Sequence, residues 1–440
     1  MSQTVKRSTP EFPKEPIDAL ATPLQRFIHT EAAGGAVLLA AAVIALIVAN
    51  SPLGPAVESF WKTPVGLRVG AFDFEHSLRH WINDGLVTLF FFVVGLEIKR
   101  ELVNGELSKR GAAAFPIAAA LGGMLVPAAI YLALVSGPEA SAGWGVVMAT
   151  DIAFVVGCLA LFGKRIPDSL RIFALALAII DDIGAILVIG IGYSQDFHIL
   201  PFAGALAAFG VTALMRWLGV RPVGAYWAVG FICWAFLHES GIHPTIAGVA
   251  LGLLTPVTAW VDETRFDQFL AWARDTMRSP NEELEQKPEA VRRALARAAR
   301  ESISPQRRLE NAVHPWSAFV VLPLFALANA GVPITSGNVL DPITMAVIAG
   351  LVAGKPLGIF AFSWLAVKVS MASKPTDVSW PHVLGAGLLC GIGFTMALFI
   401  ANLAFAGAAL EAAKLGILLA SLIAGTFGML VLFAMTGKKD

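Results

Sequence analysis

The stretch ALAIIDDIGAILVIG, residues 176–190, sets two adjacent aspartates, Asp181 and Asp182, inside an otherwise apolar run. A bilayer-spanning helix takes about 20 mostly apolar residues, and the run extends far enough, over 167–193, to supply them. The rest of the chain fits a membrane setting. Of its 440 residues 56% are hydrophobic and 15% charged, with a mean hydropathy of +0.70, against roughly 45–50% apolar and about 25% charged in soluble domains. So few charges do not cover that apolar bulk in water.

Apolar runs bounded by charges and Pro/Gly clusters predict helices over 33–50, 80–103, 112–135, 143–163, 167–193, 199–218, 222–237, 242–258, 312–332, 341–369, 382–406 and 411–436. The expected fold is therefore an all-α polytopic membrane protein with twelve transmembrane helices. The first run, Gly35–Ala49, lacks a small-residue cleavage site and reads as an uncleaved span. Lys and Arg accumulate in cytoplasmic loops. Alternate connections place 27 basic residues on one side, together with both ends of the chain, and 4 on the other, so both termini are expected in the cytoplasm. The remaining one of the 32 basic residues is Lys355, at the centre of the tenth span.

The expected organisation is a cytoplasmic N-terminal extension over 1–30, spans one to eight over 31–258, a cytoplasmic polar loop over 259–310 and the last four spans over 311–440. The loop carries ten acids and ten bases, and 288–302 reads as an amphipathic helix beside membrane lipid. Residues 57–75 alternate apolar and polar around turn residues, which suits an external hairpin able to pair with a second subunit in a homodimer. A net charge of zero gives no pull toward nucleic acid. Cys158, Cys233 and Cys390 all lie in apolar stretches and read as packing residues.

Ionisable groups at membrane depth cost roughly 2.5–3.5 kcal/mol each even on lenient insertion scales, which makes them functional candidates. Neighbouring residues on a helix point about 100° apart, so Asp181 and Asp182 do different work: one binds, the other pairs. Two carboxylates about 4 Å apart repel by about 4 kcal/mol at an effective dielectric of 20, so both tend to hold protons unless a cation replaces them. Lys355 sits at the same depth and is the natural counter-charge for one of them. A third acid, Asp151, lies at comparable depth in the fourth span.

The fourth and eleventh spans carry helix-weakening residues in mid-run. Thr150 and Asp151 compete with the backbone in one, and Gly391, Gly393 and Thr395 loosen the other. Both read as broken helices, whose free carbonyls can ligate a hard cation. Each lies in the middle of a triplet, spans three to five and ten to twelve, that run in opposite directions. That is the pattern of inverted-topology repeats whose broken helices cross near the midplane.

At this point the chain resembles the NhaA-type sodium/proton antiporters of bacterial inner membranes, themselves a standard example of inverted repeats. The resemblance rests on WINDGL (81–86), GLEIKREL (95–102), AFPIAAALGGMLVPA (114–128), ATDIAF (149–154), LALAIIDDIGAI (175–186), SGIHPTIAGV (240–249), AVHPW (312–316), LPLFALANAGV (322–332), AGKPLGI (353–359) and LLCGIGFTMALFIANLAF (388–405). It implies that Asp182 is the main sodium-binding carboxylate with Asp151 and Thr150 nearby, and that Asp181 pairs with Lys355. It further implies that Glu97, Glu101, His243, Arg308 and Glu310 belong to groups linked to pH response, and that Asp84 lies at the periplasmic mouth. The loop 259–310 is longer than usual for the family.

The expected activity is electrogenic, pH-dependent export of Na+ or Li+ in exchange for protons, falling in acid because protons then hold the site. The ions are substrates, and no cofactor or enzymatic reaction is expected. A sodium-coupled symporter of a small organic solute is the nearest alternative. An ATP-driven pump is excluded by the near-miss at Gly354-Lys355-Pro356, where Ala349 and Pro356 break the P-loop pattern. His238-Glu239 and His243 are one residue too far apart for a zinc protease helix, and no TVGYG-like filter is present.

Overall fold

The computed structural model describes residues 31–69, 72–194, 197–220, 223–278, 287–334 and 339–436, so the extension expected over 1–30 lies outside the described residues. The chain runs α1 (Glu31–Ala49), α2 (Gly54–Trp61), β1 (Pro64–Val69), β2 (Phe72–Ser77), α3 (Leu78–Asn104) and α4 (Arg110–Leu134). A 3₁₀ turn, Ala142–Met148, leads to α5 (Ile152–Leu161), followed by α6 (Asp168–Gly192), α7 (Ile199–Trp217), α8 (Val223–Glu239) and α9 (Thr245–Leu254). Then come α10 (Glu263–Arg278), α11 (Lys287–Glu301), α12 (Pro305–Asn329), α13 (Pro342–Lys368), α14 (Trp380–Cys390), α15 (Phe394–Ala404) and α16 (Gly407–Thr436).

Eight of the described helices are long and apolar enough to cross a membrane, or ten if each of two bent pairs, α1 with α2 and α14 with α15, is one span. The expectation of twelve is not reached on length, because α8 has 17 residues and α9 has 10. The surface has the character of a lipid-facing one: Leu200 and Leu422 are 82% and 69% exposed, among many other large apolar side chains.

Close backbone approach sets the packing. Helix α4 lies along α13, and a Cβ on Gly122 would run into the Gly358 carbonyl, as one on Gly358 would into Gly122. A Cβ on Gly95 of α3 would lie 2.6 Å from the Val249 carbonyl oxygen of α9. In lipid, where apolar burial drives little association between helices, such small-residue seams carry much of the packing. Buried aromatics, Phe91, Phe115, Tyr131, Phe325 and Phe399 among them, fill the interior around these seams.

Two expectations shift. Residues 57–61 belong to α2, and the antiparallel hairpin runs from Pro64, paired with Ser77, to Val69, paired with Phe72. In the polar loop, the helix expected over 288–302 is α11, joined by a second one, α10, whose Phe266, Phe269, Leu270 and Ala273 recur at helical spacing. Helix α12 starts at Pro305, earlier than expected, because Ser304 caps it by accepting from the Arg307 N–H at 3.3 Å.

Candidate functional site

Both expected interruptions are present. Between Met148 and Ile152 the backbone is extended, with Ala149 at ψ 146° and Asp151 at φ −93°, ψ 100°. Between Cys390 and Phe394 the chain turns through Gly391, Ile392 and Gly393, and α14 and α15 meet at 47°. The two open segments cross, and the Asp151 N–H donates to the Ile392 carbonyl at 2.7 Å. A Cβ at Gly391 would lie 2.5 Å from the Leu351 carbonyl oxygen, so this crossing has room only for glycine there.

Four helix ends converge on the crossing, and buried side chains answer their partial charges. The Asp151 carboxylate lies at two N-termini. Its Oδ1 accepts from the Phe154 N–H of α5 at 3.4 Å, and its Oδ2 accepts from the Thr395 N–H of α15 at 3.0 Å and the Thr395 hydroxyl at 2.5 Å. Lys355 answers a carbonyl end, its Nζ donating to the Met148 carbonyl. A π-helical turn, Ala349–Gly354, interrupts α13 just before it. The same Nζ lies 2.9 Å from Asp181 Oδ2, with both side chains 0% exposed. The Thr150 hydroxyl stands 2.8 Å from that same oxygen and 3.0 Å from the Cys390 carbonyl oxygen.

Asp182 differs from Asp151. It is 3% exposed, and its Oδ2 is buried with no hydrogen-bond partner among the described residues, as is Asp181 Oδ1. The carboxylates of Glu97, Asp181 and Asp151 all lie within electrostatic reach of it. Thus Thr150, Asp151, Asp181, Asp182, Lys355, Gly391, Gly393 and Thr395 form one cluster, with Glu97 at its edge.

The remaining expected residues divide between two ends of α3. Glu97 lies near Glu310 and Arg100. There Glu310 takes Arg100 Nη1 at 2.6 Å on Oε1 and Gln306 Nε2 at 2.5 Å on Oε2. Glu101 caps the turn below it, accepting from the Glu106 N–H at 3.0 Å. Arg308 points to α11, donating to the Arg300 carbonyl at 3.2 Å and lying 3.9 Å from Glu301. Asp84 and His243 are together at the other end, 3.8 Å apart, thirteen residues or about 20 Å from Glu97.

Asp84 and His243 line a cavity of about 450 Å³ that begins at the hairpin end of α3 and also includes Asn83, Phe399 and Asn402. Phe399 and Asn402 lie about one and two turns along α15 from Thr395. The sequence reading missed a polar junction here: Asn329 Nδ2 donates to Asn83 Oδ1 at 2.7 Å, and Asn402 Nδ2 donates to Asn329 Oδ1 at 3.1 Å. The signal was available, since all three asparagines interrupt apolar runs.

Crossed, interrupted helices around buried carboxylates in a multi-pass membrane protein define a secondary transporter whose site suits small cations. The chain belongs to the family described as Na+/H+ antiporter 1, whose model matches residues 25–432. It is 49% identical to the Na+/H+ antiporter NhaA 1 of Acidiphilium cryptum, over 100% of this chain and 97% of that one. The NhaA of Rhizobium meliloti is 47% identical, over 98% and 99% of the two chains, and the NhaA 2 of Vibrio vulnificus 49%, over 97% and 96%. The family is one of transporters, not enzymes, with ions as substrates rather than cofactors, and the symporter alternative finds no support in it.

Proposed function

We propose that the chain exports Na+, and Li+ in its place, from the cytoplasm of a bacterium in exchange for external protons. It sits in the inner membrane with both termini in the cytoplasm, and a homodimer forms through β1 and β2. The observation that carries the reading is the pair of buried carboxylate oxygens, Asp182 Oδ2 and Asp181 Oδ1, that have no hydrogen-bond partner among the described residues. A buried anion without a partner is costly, so such an oxygen takes either a proton or a metal ion. Sodium is a hard cation that prefers oxygen ligands, as calcium and magnesium do.

In this mechanism Asp182 is the main Na+ carboxylate. Asp151, the Thr150 hydroxyl and the carbonyls of the open segments stand ready to complete its shell. Asp181 is held by Lys355 and lends its free oxygen. With the site facing the cytoplasm, Na+ displaces protons from these acids. Rearrangement of the crossed segments then exposes the site to the outside, where protons displace Na+. Because more than one acid titrates for each monovalent ion, more protons than Na+ ions cross per cycle and the exchange is electrogenic. Glu97, Glu101, Arg308 and Glu310 tune the response to pH on the cytoplasmic side, and His243 does so near the outer mouth, where Asp84 lies.

The test uses everted membrane vesicles with an imposed pH gradient. Added Na+ is expected to collapse the gradient with the native chain, and the Asp182→Asn variant is expected to lose at least 100-fold in rate while its melting temperature in detergent is maintained. Full exchange in Asp182→Asn would exclude this assignment.

A further inference from the structure

Three histidines gather at the mouth of the cavity and take no part in the exchange chemistry above. His76 lies on β2, His80 in the first turn of α3 and His238 in the last turn of α8. All three are half-buried, and one ring nitrogen of each lies within 4.8 Å of those of the other two. The ring centroids are 4.3 Å apart for His76 and His80, 5.2 Å for His76 and His238, and 5.4 Å for His80 and His238.

The surroundings favour a metal. Asp84 Oδ2 stands 3.5 Å from His80 Nδ1, while His80 Nε2 is buried with no hydrogen-bond partner among the described residues. A carboxylate behind one ring nitrogen with the other left bare is how proteins orient metal-binding histidines. Arg79 also lines the cavity, but its two terminal nitrogens engage Glu58 at 3.1 Å and 2.6 Å, which offsets its charge. Imidazole suits Zn, Cu and Ni, whereas hard ions prefer oxygen, so this trio discriminates against the transported Na+. Zinc takes nitrogen at about 2.0–2.1 Å in a tetrahedral shell, which sets ligand nitrogens roughly 3.3 Å apart. Gathering from within 4.8 Å to that spacing is a shift of about 1.5 Å.

We propose that His76, His80 and His238 form a binding site for one zinc-class divalent cation, with Asp84 as the outer carboxylate. The bound ion joins the hairpin to α3 and α8 across the cavity mouth and slows exchange.

The site is tested with full-length, tag-free protein in detergent, by calorimetric titration with Zn2+ and by the visible absorption of Co2+ as a reporter of tetrahedral nitrogen ligation. The native chain is expected to take one Zn2+ at this site, and His76→Asn, His80→Asn and His238→Asn are each expected to weaken it at least tenfold. Melting in the presence of a chelator checks that each variant folds. His76→Asn, on the hairpin, keeps the test decisive where a helix variant does not fold. Binding in His76→Asn equal to that of the native chain, or no high-affinity zinc in the native chain, overturns the site. In proteoliposomes, Zn2+ is expected to slow exchange at least threefold in the native chain and not in His76→Asn, and equal slowing in both overturns the joining role.

Discussion

Lys355 and Asp181 are each wholly buried, which makes their pairing an energetic problem before it is a functional one. Removing an ion from water costs several kcal/mol, and the attraction between partners repays this only when further hydrogen bonds satisfy what the pair leaves over. Here Thr150 and the Met148 carbonyl supply those bonds. Removing one partner is therefore expected to cost more than replacing both. Lys355→Ala should lower stability by about 3–5 kcal/mol, read as a lower melting temperature in detergent. The double variant Lys355→Met with Asp181→Asn should recover a large part of that loss, and unchanged melting of Lys355→Ala would contradict the bridge. Contrast the pair beside the hairpin, where Arg79 next to Glu58 holds its carboxyl below the usual range. A carboxyl so depressed adds stability above its ordinary pKa and loses it as pH falls through the lowered one. With Glu58 44% exposed, Glu58→Gln should cost less than about 1 kcal/mol at neutral pH, and the difference in melting should vanish in acid.

At the scale of elements, the crossing depends on backbones that meet without side chains between them. Gly391→Ala would press a Cβ against the Leu351 carbonyl, 2.5 Å away, and overpacking of this kind costs about 1–3 kcal/mol. At Gly210, inside α7, a Cβ meets nothing within 4 Å, so Gly210→Ala should instead stabilise by up to about 1 kcal/mol through helix propensity. A pair of melts with opposite signs supports this reading of the packing; equal effects would refute it. The same elements mark what was legible in the sequence. The breaks at Thr150–Asp151 and Gly391–Gly393 were readable because their cause is local: side chains that compete with the backbone, and glycines that fail to hold a helix. The π-helical turns Trp81–Leu86, Ser317–Val321 and Ala349–Gly354 were not. A widened turn is imposed by neighbours, and no residue in AGLVAG requires one. Likewise, that Asp182 keeps an unpartnered oxygen while Asp151 is engaged by two helix ends follows from tertiary geometry, since all three acids look alike along the chain.

For the whole molecule, the proposed exchange asks one buried cluster to serve two substrates. Asp181 and Asp182 each keep a buried oxygen free of hydrogen-bond partners among the described residues, and every further negative charge there is opposed by its neighbours, with Lys355 as the nearby counter-charge. In the proposed mechanism sodium and protons contend for the same oxygens, and contention has a kinetic signature that a separate pH-sensing gate lacks. If a proton and Na+ exclude each other, mass action makes acid raise the concentration of Na+ needed without lowering the rate reached at saturation. In the range where the site is protonated, the apparent KM for Na+ should rise about tenfold for each unit the pH falls when one proton is displaced, and more steeply when two are. Rates measured against Na+ concentration at half-unit pH steps, in vesicles with the membrane potential clamped, give both the slope and the saturating rate. A slope greater than one means that more than one proton leaves for each Na+ bound, which is the condition for electrogenic exchange. A KM that stays constant while the saturating rate collapses would move pH control away from these carboxylates and toward the groups around Glu97 and Glu310, which would then act as a gate and not as competitors.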